Sequence, residues 1–310
     1  MNADIMLLSN TLIYSGRLKC GSEEVARQTL KLPDNSFLKS LNRGTGCICP
    51  IGNCWIGKVL EESCNITFID TDLIPARDEV VGSLIQNPVE AYLVAQLVEA
   101  LLLSGVPVGE VGVISLYRQQ LKLLVSMLEG RGGKGVEVIT VDRSQGRDKD
   151  CVIVSMVRSN ENGQIGELIK DWRRLNVAFT RARKKLVVIG SRRTLGDVPV
   201  MKEFFELMGN KSWILSLPRS VEEWHPALGD KTRAVLGHLD SGCKRDGCGS
   251  GKRQVVSVEK ENGQDGSDGS LDEYGSIERP IKRAKLPRLD EGLMRGRPLL
   301  RDVVNGESAA

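Results

Sequence analysis

Asp171-Trp172-Arg173-Arg174-Leu175-Asn176-Val177-Ala178-Phe179-Thr180-Arg181-Ala182-Arg183, running on through Lys185-Leu186-Val187-Val188-Ile189-Gly190, is the stretch whose reading decides the fold. It reads as a helix that carries Arg181 and leads into a buried strand, a setting from which a planar guanidinium can reach a phosphate across an interface. Upstream lies Thr140-Val141-Asp142-Arg143-Ser144-Gln145-Gly146-Arg147-Asp148, a polar loop between two apolar strands. Together the two segments point to nucleotide chemistry.

The surrounding pattern alternates strands with helices. Asn87 before Pro88, with Glu90 three residues after Asn87 and Gly105 beyond, gives a cap, a proline at the first helical position, an early acid and a glycine stop. Val89, Tyr92, Leu93, Leu97, Ala100 and Leu101 fall on one face of that segment, so an amphipathic helix is expected. Val111 to Ser115, Val136 to Thr140, Cys151 to Val157 and Leu186 to Ile189 are short apolar runs suited to buried parallel strands, and Ile66 to Asp70 reads as another. Tyr117 to Leu128 resumes helical periodicity. The fold class is therefore α/β, with a parallel sheet covered on both faces. The run from Gly44 through Gly57 reads as an ordered loop or small insertion.

The two quoted segments resemble motifs V and VI of superfamily 1B helicases. Val157-Arg158-Ser159-Asn160 and Gly166-Glu167-Leu168-Ile169-Lys170-Asp171-Trp172-Arg173-Arg174 narrow the resemblance to the DNA replication ATP-dependent helicase/nuclease family of Okazaki-flap processing. Met1-Asn2-Ala3-Asp4-Ile5-Met6 is similar to the segment after Gln-Tyr-Arg at the start of that family's second motor domain. The resemblance covers roughly residues 1 to 195 and implies a RecA-like second motor domain of the P-loop NTPase type. On this reading 1–80 is the start of that domain with an irregular insertion and 81–215 the core with motifs IV, V and VI; from Pro218 glycine, serine and charge dominate and apolar periodicity disappears, so a flexible basic tail is expected over 218–310.

In such a sheet, ligands sit beyond the carboxyl ends of the strands, so Thr140 to Asp148 is expected as a loop on that edge. By resemblance Gln145 and Gly146 contact the nucleotide and Asp148 the ribose, although the family often has Glu at the last position. Arg181 resembles the arginine finger, which stabilises charge on the transferring phosphoryl group. Asn176 and Thr180 are expected to hold the helix start and the finger's rotamer, while Arg174 and Arg183 either orient the motif through ion pairs or lie exposed. Ser115-Leu116-Tyr117-Arg118-Gln119-Gln120 resembles motif IV, so Ser115 and Arg118 are expected on a single strand's phosphodiester and Tyr117 either stacks or packs. Thr140, Arg143 and Arg147 complete the expected nucleic-acid contacts.

No G-x4-G-K-[ST] and no Asp-Glu strand-end pair occurs in the 310 residues. The resemblance therefore implies that ATP and Mg2+ are held mainly by a first motor domain, and that an iron-sulphur cluster is to be expected in the parent's nuclease domain. The segment alone is expected neither to hydrolyse ATP nor to cut DNA. The parent reads as a 5′ to 3′ DNA helicase/nuclease on 5′ flaps and resected ends; a superfamily 1B RNA helicase and a non-catalytic DNA- or partner-binding fragment are the alternatives. Single-stranded DNA, 5′ flap DNA and a single-strand-binding protein are the expected partners.

The formal charge of +3 does not announce a nucleic-acid binder. Local clustering carries that case: Arg173, Arg174, Arg181, Arg183, Lys184, Lys185, Arg192 and Arg193 have no carboxylate among them, and the lysines read as solvated. The two histidines, His225 and His238, lie beyond the expected core, which removes histidine-based catalysis from it. Asp4 and the lack of a basic leader argue against a secretory signal, and no apolar run reaches membrane-spanning length, so no membrane partner is expected. A reducing compartment suits the eight cysteines. Cys47, Cys49, Cys54 and Cys64 lack the paired spacing of structural zinc sites, so no metal site is expected there. In the tail, Arg279 to Arg288 concentrates cations between prolines; Lys282, Arg283 and Lys285 read as a nuclear localisation signal for an import receptor, or as a solubilising cluster.

Overall fold

The computed structural model describes residues 1–42, 54–219 and 221. The described chain runs through α1 (Ala3–Leu12), α2 (Glu23–Arg27), α3 (Ser36–Asn42), α4 (Trp55–Leu60), β1 (Ile66–Asp70), β2 (Glu79–Val81), β3 (Leu84–Gln86), α5 (Pro88–Leu103), β4 (Val111–Ser115) and α6 (Arg118–Glu129). It continues with β5 (Glu137–Thr140), β6 (Lys149–Ser155), α7 (Glu167–Lys170), α8 (Trp172–Phe179), β7 (Ala182–Gly190), α9 (Arg192–Leu195), α10 (Pro199–Asn210) and β8 (Ile214–Ser216). The main sheet has the order β5-β4-β6-β7-β1-β8, and every pair in it is parallel.

Strand side chains alternate between two cores, the period of two that a pleated strand imposes. Cys151, Ile153, Val187 and Ile189 face one core with α3, α4, α5 and α6. Val152, Val154, Leu186 and Val188 face the other with α1, α8 and α10, where Phe68, Phe204 and Phe205 meet edge to face. The expected doubly covered α/β sheet is thus present.

Asn87 caps α5 as expected, its Oδ1 accepting from the Glu90 amide at 3.0 Å. The helix itself is not the amphipathic helix expected: Glu90 through Leu101 is buried except at Tyr92. Its second face is covered by α3 and α4, whose short segments carry too few turns to show helical periodicity. Gly57 accordingly lies inside α4 and not in a loop, while Cys47 and Cys49 lie outside the described residues. Lys185 is also opposite to expectation, only 1% exposed. Its ammonium donates to the carbonyls of Val59 at 2.9 Å and Glu61 at 3.1 Å and to that of Cys64, satisfying groups left open at the end of α4. Burial pulls its pKa down.

β8 extends the sheet beyond the expected boundary at 215, and Leu217 and Val221 are fully buried. The run Lys282 to Lys285, with its candidate localisation residues, lies outside the described residues.

Gly166 precedes α7 with φ 78° and ψ 152°, a region closed to residues with a side chain. A Cβ there would sit 3.0 Å from the Tyr117 hydroxyl. Gly166→Ala is therefore expected to destabilise the fold by about 1–3 kcal/mol and to lower Tm by several degrees in a thermal melt. An unchanged Tm would contradict this backbone reading.

Candidate nucleotide and nucleic-acid edges

Because all six strands are parallel, the sheet has one amino edge and one carboxyl edge, and the expected site residues divide between them. β5 ends at Thr140, which pairs in register with Ser115, the last residue of β4. The chain must then return to the amino end of β6, which starts at Lys149. Thr140 to Asp148 is therefore not a loop confined to the carboxyl edge but a crossover from one edge to the other. The seven residues of β6 put roughly 20 Å between those edges. A short 3-10 turn over Val141–Arg143 begins the crossover, with Ser144 Oγ donating back to the Val141 carbonyl at 2.7 Å.

Arg181 stands at the amino edge. It is not in a helix as expected: α8 closes at Phe179, and Arg181 occupies the turn before β7. Thr180 makes that ending, since its amide and its hydroxyl both donate to the Asn176 carbonyl, the hydroxyl at 2.8 Å. The Arg181 guanidinium is held from three sides. Nε donates to the Val177 carbonyl at 3.0 Å, Nη2 to Thr180 Oγ1 at 3.1 Å and Nη1 to Asp148 Oδ1 at 2.7 Å. Arginine carries five N–H groups, so among the described residues one on each terminal nitrogen remains, a pair of donors of the kind that can grip a phosphate.

Thr180 thus helps to hold the Arg181 rotamer. Asn176 does not touch it: its Oδ1 accepts from Ser9 Oγ at 2.7 Å and anchors α8 to α1. Arg174 pairs with Asp142 at 3.3 Å, tying α8 to the crossover. Arg183 bridges Glu110 and Asp150, and Lys184 joins Asp150, so with Arg174 and Arg181 half of the eight cations in the run meet carboxylates from elsewhere in the chain. The start of the chain reaches the same edge, where the Asn2 amide donates to the Arg183 carbonyl at 2.7 Å. Gln145 and Gly146 are exposed, with Gly146 at φ 76° turning the crossover toward Asp148. Arg147 also falls on the amino edge, paired with Glu137 at the start of β5, away from the nucleic-acid candidates it was expected to join. That pairing, together with Lys149, holds the Glu137 carboxyl below its ordinary range against the opposing effect of burial.

The carboxyl edge keeps a smaller nucleic-acid set than expected. Ser115 is fully buried and donates to the Ser155 carbonyl at 3.1 Å, so its hydroxyl is spent inside the protein. Tyr117 packs: its hydroxyl donates to the Ile165 carbonyl at 3.2 Å, and burial pushes its pKa up to about 12. Arg118 is exposed at the first residue of α6, Thr140 is half-buried and Arg143 is exposed. An open polar cleft of about 470 Å³ adjoins this edge, lined in part by Asp72, Asn160, Ser191 and Arg193.

Sequence reasoning missed the polar cluster beneath that edge. Glu90, Asn87, Gln120 and Ser155 are all fully buried. Glu90 Oε2 accepts from Ser155 Oγ and from the Val157 amide, each at 2.8 Å. Asn87 Nδ2 donates to the Val157 carbonyl at 3.0 Å, and Gln120 Nε2 to Ser155 Oγ at 3.1 Å. Val157 has φ 71°, a left-handed conformation that a β-branched residue avoids, and both of its backbone polar groups are gripped by this cluster. The only sequence signal was the Asn87/Glu90 spacing, which reads fully as a helix cap.

An all-parallel doubly covered sheet with a three-point-held arginine beside a crossover defines the class: a RecA-like motor domain of the P-loop NTPase type. The AAA domain family model matches residues 1–193, and the chain belongs to that family. It is 39% identical over 247 residues to the DNA replication ATP-dependent helicase/nuclease DNA2 of Mus musculus, covering 79% of this chain and 22% of that protein. Against the enzyme of the same name from Saccharomyces cerevisiae it is 38% identical over 263 residues, 84% of this chain and 17% of that protein. The Homo sapiens enzyme is 39% identical over 235 residues, 75% of this chain and 22% of that protein. These relatives bear out the resemblance read from the motifs. The chain spans between 17% and 22% of the length of these three curated relatives. Among the described residues no cluster could hold a metal ion, and no helix is long and apolar enough to cross a membrane.

Proposed function

We infer that this chain is the second motor half of an ATP-dependent DNA helicase/nuclease that acts on 5′ flaps and resected ends in the nucleus. The observation that carries the reading is Arg181 at the amino edge, with three N–H groups held by the protein and two left for a ligand. When bound, ATP supplies a phosphoryl group whose negative charge shifts during transfer. Arg181 suits that charge because its grip is assembled in advance. Gln145 and Gly146 lie on the same crossover and suit the nucleotide, whereas the first motor domain supplies the Mg2+ ligands and the remaining phosphate contacts.

Arg118, Thr140 and Arg143 belong to the opposite edge and suit the phosphodiester backbone of single-stranded DNA. The Arg118 amide opens a helix, and its exposed guanidinium, unpaired among the described residues, suits a phosphate. The crossover joins the two edges physically, which suits a motor that must couple nucleotide state to grip on a strand. A single-strand-binding protein and an import receptor for Lys282, Arg283 and Lys285 complete the proposed partners.

Single-stranded DNA binding by the 310-residue chain is expected to be weak and steeply salt-dependent. Arg118→Ala is expected to weaken it and to make the slope of log K against log salt shallower by about one. Fluorescence anisotropy over a salt series measures both. An affinity indifferent to salt would overturn the assignment of this edge.

A further inference from the structure

We propose that Asp148 is a positioning residue for Arg181, holding the guanidinium fork in line with the transferring phosphoryl group instead of contacting the ribose. This rests on the reading of Arg181 as the finger. The carboxylate that the motif resemblance assigns to the ribose has its Oδ1 on Arg181 Nη1 at 2.7 Å. The backbone repeats the link one residue on, where the Lys149 amide donates to the Arg181 carbonyl at 2.9 Å.

The crossover is fastened at both ends to the segment that carries the finger, through Asp142 on Arg174 and Asp148 on Arg181. Arg147 on Glu137 and the left-handed turn at Gly146 fix the approach of Asp148 from the other side. The Asp148 side chain is 53% exposed, so the pair adds little to stability. Its effect is directional. With Val177 and Thr180 holding Nε and Nη2, removal of Asp148 leaves the guanidinium plane free to swing about the remaining two bonds. A swing of that kind moves the fork off the phosphate by the order of an ångström, enough for a large loss of rate.

The test uses the full-length enzyme and steady-state DNA-stimulated turnover of ATP and of 2′-deoxy-ATP. Asp148→Ala is expected to lower kcat by about tenfold or more for both nucleotides alike, with KM within about twofold of wild type. Asp148→Asn, which keeps an acceptor at Oδ1, is expected to recover much of the loss. In an Arg181→Ala background, Asp148→Ala is expected to cost nothing further, because the two side chains act as one unit. A raised KM for ATP together with a lost preference for ATP over 2′-deoxy-ATP would assign Asp148 to the ribose and overturn the proposal. So would a normal kcat in Asp148→Ala alongside a crippled Arg181→Ala. Near-normal turnover in Arg181→Ala itself would instead remove the finger reading on which the proposal stands.

Discussion

In the full-length enzyme, Arg181→Ala is expected to lower DNA-stimulated kcat by two orders of magnitude or more while nuclease activity stays near wild type. On the proposed reading of Arg181 as the finger, charge on the transferring phosphoryl oxygens would be met by a guanidinium whose orientation is already set by Val177, Thr180 and Asp148, so its loss would be felt in the transition state. Arg181→Lys is expected to restore little, because an ammonium cannot occupy three directional acceptors and still present a planar fork. Stability is expected to move by less than about 1 kcal/mol, the scale of a partly exposed ion pair. Steady-state ATPase and thermal melts on the same preparations separate the two effects. A variant that melts early yet turns over normally per folded molecule would make Arg181 a structural residue.

Glu90 gives the second large effect, and it acts on stability. Burial raises its pKa from an ordinary 4.5 to about 8, against the hydrogen bonds from Val157 and Ser155 that favour the charged form. Between those values the folded protein keeps a proton that the unfolded chain has released. The contribution of Glu90 is therefore fully present below about pH 4.5 and is lost as pH rises through about 8, with a slope of at most about 1.4 kcal/mol per pH unit. Chemical denaturation from pH 5 upward is expected to show that decline in the wild type and to lose it in Glu90→Gln. Glu90→Ala leaves Ser155 Oγ and the Val157 amide without an acceptor in a dry site, a cost on the order of 3 kcal/mol or more. Parallel pH slopes for wild type and Glu90→Gln would show that Glu90 is not the titrating group.

Those two residues also mark how much of the molecule the sequence makes legible. Arg181 is visible because its segment is local: a helix leading into a strand reads in one pass, and so does the Asn87 cap. The bounds of β4 are legible to the residue because an apolar run ends sharply at a helix start. The features that escape depend on contacts between distant segments. Glu90 looks like a capping acid, and only the return of β6 beside β4 brings Ser155 and Val157 to it. Lys185 looks like a solvated cation until α4 folds over it. Motif position alone points Ser115 outward and leaves Tyr117 to stack or pack, whereas parallel pairing turns the first inward and the loop before Gly166 covers the second.

The division into two edges is illegible for the same reason. A nine-residue motif from Thr140 to Asp148 reads as one loop and one site, and strand order alone makes it a crossover between opposite edges. The expectation that Arg181 sits within a helix fails more locally, since Thr180 turns its hydroxyl back onto the Asn176 carbonyl and α8 closes two residues before Arg181.

Two edges with two tasks is the central claim, and a DNA titration of ATP turnover in the full-length enzyme tests it most directly. Each curve yields a kcat at saturating DNA and a DNA concentration for half-stimulation. Arg181→Ala is expected to collapse the first and leave the second near wild type; Arg118→Glu is expected to raise the second by about tenfold or more and leave the first near wild type. Both variants moving the same parameter would contradict the account.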